Sequence, residues 1–254
     1  MPQVPRKQIP QVDESRPRLA VSVILIRDSA KGLEVFVQHR ASTMDFAAGA
    51  VAFPGGRVDD VDSSGWYFDH EILVAHAAAW ENSDISDPPS EASLNAGRLI
   101  AAALREVAEE CGIFLDQADL TPWANWVTPE GQPKRFDTYF FISTVGAGVE
   151  PLHQTTEASE SLWMPVAQLV ENQGAMLKVL PPTLSILDEL NEIGAATPAL
   201  DLKRSIIPVR LHRDGIEEFY RVRRQRRGVA PAQSILNSGA PERALPAVVP
   251  LRVV

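Results

Sequence analysis

The alternation of apolar and polar positions divides the chain into a readable series of elements. Residues 19–27 (LAVSVILIR) and 33–39 (LEVFVQH) are β-branched, apolar runs. The polar DSAKG between them ends in glycine, so the pair predicts a β-hairpin. Residues 40–62 read as loop, with a short apolar piece, AVAF at 50–53, leading into PGG. Residues 63–89 read as an insert holding a short helix, HEILVAHAAAW, and an acidic, proline-bearing loop. Ser90 is a suitable N-cap for a longer helix running to about Cys111, where Gly112 supplies the C′ residue. In that helix Ile100, Ala103, Leu104, Val107 and Cys111 fall at i, i+3, i+4, i+7 and i+11, one apolar stripe. FDTYFFIS (136–143) and SLWMP (161–165) predict strands, and PVAQLVENQ and PPTLSILDELNEI predict helices that begin at proline. The series contains no internal repeat.

The polar side of the long helix is unusual. Glu106, Glu109 and Glu110 crowd its last turns. Like charges at i, i+3 and i, i+4 repel, and the C-terminal end of a helix already carries partial negative charge. Their centre lies roughly 130° around the helix from that of the apolar stripe, at about 100° per residue. The cluster therefore sits beside the buried face, where a cleft can form. Carboxylate oxygens on one helical face are the donors that hard cations such as Mg²⁺ or Mn²⁺ prefer, and a divalent ion would relieve both repulsions.

Charge and composition narrow the classes. The 254 residues carry a net charge of −9, which argues against a general nucleic-acid or anionic-membrane binder. Residues 203–227 run the other way, with nine Lys/Arg against three Asp/Glu. The single cysteine, Cys111, allows no intrachain disulfide, and no apolar run is long enough to span a bilayer. Cytoplasmic location is the default expectation, with residues 1–18 a loose polar tail.

Upstream of the helix stands FPGGRVDDVD (53–62), whose adjacent glycines allow close backbone approach. Taken with the helix, this resembles the Nudix hydrolase family, whose signature is G-x5-E-x7-R-E-U-x-E-E-x-G-U, with U an aliphatic residue. Arg105 to Ile113 (REVAEECGI) match the second half completely. The first half starts at Gly56, and its glutamate position falls on Asp62, which keeps a carboxylate. Residues 63–104 give 42 intervening positions where the signature has 7, so 35 are extra. An insert at this place is similar to one found in the branch containing the peroxisomal coenzyme A diphosphatases. RASTMDFAAGAVAFPGG (40–56) looks like the coenzyme A-associated motif R-[SA]-x3-R-x3-G-x3-FPGG, with Asp45 replacing its second arginine. WVTPEGQPKRFDTYFF (126–141) also looks like that branch.

The resemblance implies an α/β fold: an α/β/α sandwich around a mixed β-sheet at 19–200. A helical insert at about 63–97 and a basic, Pro/Ala-rich C-terminal extension at 201–254 would decorate it as a lid or a homodimer contact. It implies Mg²⁺- or Mn²⁺-dependent hydrolysis of a nucleoside diphosphate linked to another group, coenzyme A or acyl-coenzyme A first, with ADP-ribose or NADH as the alternative. Glu106, Glu109 and Glu110 would be metal ligands, with Glu106 or Glu109 also serving as base. Arg105 would orient a carboxylate through its rigid fork of donors. Gly55 and Gly56 would shape the loop entering the helix, with Arg40 and Asp62 on the substrate side. Outside the signature, Glu160 is the first choice for a further catalytic glutamate and Glu157 the second.

Other residues read more plainly. Cys111 lies on the apolar stripe and reads as core, as do Trp123 and Trp126. The five histidines show no metal-ligand spacing. RVRRQRR (221–227) reads as a solvated helix face or strap, or as a contact for a substrate phosphate. Two rival classes stand beside the enzyme: a non-catalytic Nudix-like nucleotide-binding protein, and an RNA-acting protein using the basic tail. The overall charge argues against the second.

Overall fold

The computed structural model describes residues 16–41, 49–146, 148–154, 158–172, 178–201, 204, 206–212 and 214–226. Asp45, Glu157 and the stretches 1–15 and 227–254 lie outside the described residues. The predicted hairpin forms as β1 (Arg18–Ser29) and β2 (Gly32–Arg40), paired antiparallel. After β3 (Ala50–Ala52) the chain enters the insert, with α1 (His70–Ala79), and then α2 (Ala92–Cys111). β4 (Thr121–Val127), β5 (Phe136–Thr144) and β6 (Ala158–Pro165) follow, then α3 (Val166–Glu171), β7 (Lys178–Val179), α4 (Pro181–Ile193), α5 (Ala196–Leu200), β8 (Val209–Arg210) and α6 (Gly215–Arg226). The sheet runs β7-β3-β2-β1-β5-β4-β8, with β6 paired to β2. β1–β5, β3–β7 and β4–β8 are parallel and the other pairs antiparallel, so the sheet is mixed.

Side-chain alternation along the strands feeds two cores. Ile24, Ile26, Val35 and Val37 face α3 and α4, where Leu169, Leu184 and Leu187 pack on them. Val21, Val23, Leu25 and Phe36 face α2, whose predicted stripe is buried throughout. This is the α/β/α sandwich expected. The insert belongs to the second core: Trp80, at the end of α1, is fully buried and meets Tyr139 and Phe141 edge-on at 5.1 and 5.6 Å.

One sequence expectation is corrected and two features go beyond it. Ser90 does not cap α2, because residues Pro89–Glu91 form a 3-10 turn that leads into it. β4 was not anticipated as a strand: Pro122 and the small, polar residues around the two tryptophans blur its period, and its pairing with β5 shifts register after Pro122. Described residues beyond 200 pack on the sheet. Arg204 stacks on Trp123 at 3.4 Å, Ile206 is buried, and β8 pairs with β4. On α6, Phe219 meets Trp126 of β4 at 6.2 Å while the Tyr220 hydroxyl donates to the Val179 carbonyl of β7 at 2.8 Å. Adjacent residues thus touch the sheet near both of its ends, so the sheet is strongly curled and α6 straps it.

Candidate active site

The site grows from the junction between the glycine loop and the last turns of α2. Beyond β3 the chain runs beside β1: Val23 N–H donates to the Pro54 carbonyl at 2.8 Å and Val21 N–H to that of Gly56 at 2.9 Å. A side chain at Gly55 could not fit, because a Cβ there would lie 2.2 Å from the Val21 carbonyl oxygen, and its φ of +145° suits only glycine. Gly55 N–H then donates to Glu110 Oε2 at 3.0 Å. Gly56 lies directly under Glu106, where a Cβ would come within 2.3 Å of Oε1. The two glycines therefore bring the loop against two of the three glutamates.

Arg105 fixes the other side. Its Nε and Nη2 donate to the two carboxylate oxygens of Asp62 at 2.8 and 2.9 Å, and Nη2 also reaches the Arg57 carbonyl at 3.0 Å. Nη1 donates to Glu106 at 2.9 Å and to Glu109 at 3.1 Å. The hydrogen bonds it donates to Asp62 are the main influence holding the guanidinium above its ordinary pKa, with burial opposing them. Asp62 also accepts the Asp59 N–H at 2.8 Å, and its side chain is fully enclosed. Asp62, expected on the substrate side, lies enclosed against Arg105 as its buried anchor. Burial pushes the Cys111 thiol far up, in keeping with its reading as core.

Burial grades the glutamates. Glu110 is buried, the Glu106 side chain is 13% exposed, and that of Glu109 is 60% exposed. All three lie on the α2 border beside the glycine loop. Among the described residues no three His, Cys, Asp or Glu side chains converge tightly enough to form a metal-ligating group. Glu106 and Glu109 are both turned to Arg105 Nη1. The donor set still suits a hard divalent ion, because it is all carboxylate oxygen.

Glu160 is corrected as well. On β6, Leu162 and Met164 pack in the α3/α4 core, whereas Trp163 packs in the α2 core, edge-on to Phe36 at 5.5 Å. Alternation puts Glu160 on the Leu162 side, paired in register with His39, and so away from the glutamates of α2. The α2 side of this wall holds Ser161 and Gln38. His153, to which the sequence gave no role, bonds through Nδ1 to Ser161 Oγ at 2.8 Å. Its neighbours Leu152 and Gln154 donate their N–H groups to the Cys111 and Glu110 carbonyls at 2.8 and 3.1 Å, capping the C-terminus of α2. Nothing in the sequence spacing signals this, because the contact crosses from a loop to a helix end.

Comparison with known proteins agrees with this architecture. The family model for the NUDIX domain matches residues 16–181. The chain is 27% identical over 204 residues to a Caenorhabditis elegans protein named as nudix hydrolase 7, covering 75% of this chain and 67% of that one. A crystal structure of a NUDIX hydrolase from Alicyclobacillus acidocaldarius superposes with a TM-score of 0.57 at 28% identity, covering 73% of this chain and 96% of that one. With the family model spanning well over half of its length, the chain belongs to the Nudix family of pyrophosphohydrolases.

Proposed function

We propose that the protein is a divalent-metal-dependent diphosphatase acting on a nucleoside diphosphate linked to another group, with coenzyme A or acyl-coenzyme A as the substrate and 3′,5′-ADP and (acyl-)4′-phosphopantetheine as the products. The observation that carries the diphosphatase reading is the junction in which Gly55 N–H holds Glu110, Gly56 leaves room for Glu106, and Arg105 spans Asp62, Glu106 and Glu109. Glu106, Glu109 and Glu110 are the residues that would hold Mg²⁺ or Mn²⁺. Such an ion, when bound, neutralises phosphoryl charge and lowers the pKa of bound water. The chain's own groups position the rest. Gly55 N–H and Arg105 fix the carboxylates before substrate arrives, which spares reorganisation during reaction. The coenzyme A reading rests on the 40–56 segment, from Arg40 through FPGG. Arg40, at the end of β2, would meet a substrate phosphate by a bidentate fork.

The test is a hydrolysis panel with Mg²⁺ and Mn²⁺, read by mass spectrometry of products. It holds coenzyme A, acetyl-coenzyme A, ADP-ribose, NADH, diadenosine polyphosphates and 8-oxo-dGTP, with Glu110→Gln as control. Release of 3′,5′-ADP from coenzyme A, absent in the control, supports both parts. Cleavage of ADP-ribose or NADH alone, with a dead control, keeps the metal site and overturns the coenzyme A reading. Full activity of Glu110→Gln overturns the site assignment.

A further inference from the structure

We propose that Arg18 and Arg57 form a phosphate subsite beside the glycine loop, one that takes a phosphate monoester carried on the ribose of the substrate, separate from its diphosphate. This rests on the coenzyme A reading, whose product 3′,5′-ADP carries such a group. The placement begins just after the two glycines. Val21 N–H donates to the Gly56 carbonyl at 2.9 Å and Val58 N–H to that of Leu19 at 3.0 Å, with Ala20 and Arg57 paired antiparallel between them. Residues 56–58 therefore run as a short extra strand along β1. The outer edge of that stretch carries the site. There the Arg57 carbonyl accepts from Arg105 Nη2 at 3.0 Å, and Gly55 N–H donates to Glu110 at 3.0 Å.

Alternation decides the faces. Leu19, Val21 and Val58 pack in the α2 core, and the open side of Gly56 meets Glu106, so these positions face α2. Arg18, Ala20 and Arg57 alternate with them and take the opposite face. Arg18 is the diagonal neighbour of Arg57 across this pairing, and such positions lie roughly 7–8 Å apart on one face, within reach of long side chains. Two guanidinium groups can therefore converge on one phosphate. The site occupies the outer edge of the stretch and the arginines its far face. A nucleotide with its diphosphate at the edge brings its ribose phosphate round to that face.

The fold makes little use of either guanidinium. Arg18 is exposed and has no ion pair among the described residues. The Arg57 side chain is 54% exposed, and its ion-pair partner Asp59 stands at 3.9 Å, beyond hydrogen-bonding distance. One carboxylate so placed leaves the pair with surplus positive charge, in a chain whose net charge is −9. Like charges that close on one face disfavour each other, and a dianion relieves them. Each arginine presents a rigid fork of donors that matches phosphate oxygens two at a time.

The experiment uses the full chain with Mn²⁺ and compares coenzyme A with 3′-dephospho-coenzyme A, which differ only in that phosphate. The wild type is expected to favour coenzyme A by about tenfold or more in kcat/KM, carried by KM, the low end of what a hydrogen bond to a charged group contributes. Arg18→Gln and Arg57→Gln should each reduce this ratio, the double variant should bring it near one, and Arg57→Lys should keep part of it. The preference should weaken as salt is raised. Thermal melts check that the variants keep the fold. Calorimetry of 3′,5′-ADP against 5′-AMP repeats the comparison without turnover: the wild type should bind 3′,5′-ADP about tenfold more tightly, and the double variant should bind the two alike. A wild-type ratio near one in either comparison, or a preference that survives in the double variant, overturns the proposal. The readings fail separately. If ADP-ribose or NADH alone is cleaved, the coenzyme A reading is lost and the calorimetry by itself decides the subsite. If Glu110→Gln is dead and the wild type ignores the extra phosphate, the subsite falls and the metal site stands.

Discussion

Replacing Asp62 by asparagine tests how the two halves of the signature are joined. The carboxylate is enclosed and meets Nε and Nη2 of Arg105 at 2.8 and 2.9 Å, with Arg105 itself 15% exposed. Breaking a buried ion pair by neutralising one partner costs about 3–5 kcal/mol. The remaining exposure of Arg105 puts this case at the low end, about 3 kcal/mol. For a chain of this size that is a fall in melting temperature of about 6–12 °C. A second effect should accompany it. Released from Asp62, the guanidinium can follow Glu106 and Glu109, so the Mn²⁺ concentration for half-maximal activity should rise. Asp62→Glu restores the letter of the family signature yet should also destabilise, by about 1–3 kcal/mol, because an added methylene has no space. Thermal melts and Mn²⁺ activation curves on both variants are the assays. If Asp62→Asn melts within about 1 °C of wild type while KM for substrate rises, Asp62 is a substrate contact and the anchor argument is refuted.

Three further outcomes follow from the same geometry. Gly56→Ala should leave the melting temperature nearly unchanged but lower kcat at least about tenfold, because the methyl displaces only the flexible Glu106 carboxylate, whereas Gly55→Ala meets backbone at 2.2 Å and should unfold the domain; melting and kinetics on the pair check both. His76 is buried against Phe141, and burial lowers its pKa to about 4. The unfolded chain therefore binds the extra proton first: this contribution is complete above about 6.5 and is lost as pH falls toward 4, at most about 3 kcal/mol, so His76→Gln should flatten the pH dependence of stability measured in urea. Tyr220→Phe should cost about 1 kcal/mol through the lost bond to Val179, read from the same denaturation midpoint.

What could be read from the sequence follows the range of the interactions. The hairpin, α2 and the Glu106–Glu110 border depend on local periods and a left-handed glycine, Gly112 at φ +64°, and these are legible. The glycine loop was legible as a loop, but its contacts with β1 and α2 join residues far apart in the chain. Glu160 was misjudged because its choice depended on the face of β6, and that parity is fixed by pairing with β2 rather than by any local pattern. One residue of register moves a side chain to the other face. The contact of His153 with Ser161 was missed for the same reason: it comes from a loop returning to the end of α2. The strap of α6 was hidden by its charge, since Phe219 and Tyr220 are only two aromatic positions in a strongly basic stretch.

The insert poses the sharper physical question, because it separates two halves that must act together. Closing 42 residues instead of 7 is about two and a half doublings of loop length, which costs only about 1.6 kcal/mol at roughly 0.6 kcal/mol per doubling. The insert does not remain a free loop, so even that is offset. Trp80 is fully buried against Tyr139 and Phe141, and a buried large aromatic side chain contributes about 3 kcal/mol. Phe68 packs on α2 beside Gly97, two turns before Arg105, so the insert leaves at Asp62 and lies along the helix it interrupts. The Asp62–Arg105 pair then closes the gap at the point where the uninterrupted signature would have closed it. The expansion thus adds a packed cover to the α2 side while leaving the carboxylates and the glycine loop in register. A protein cut back to the short spacing should lose the Trp80 contacts and their stability without any gain at the site.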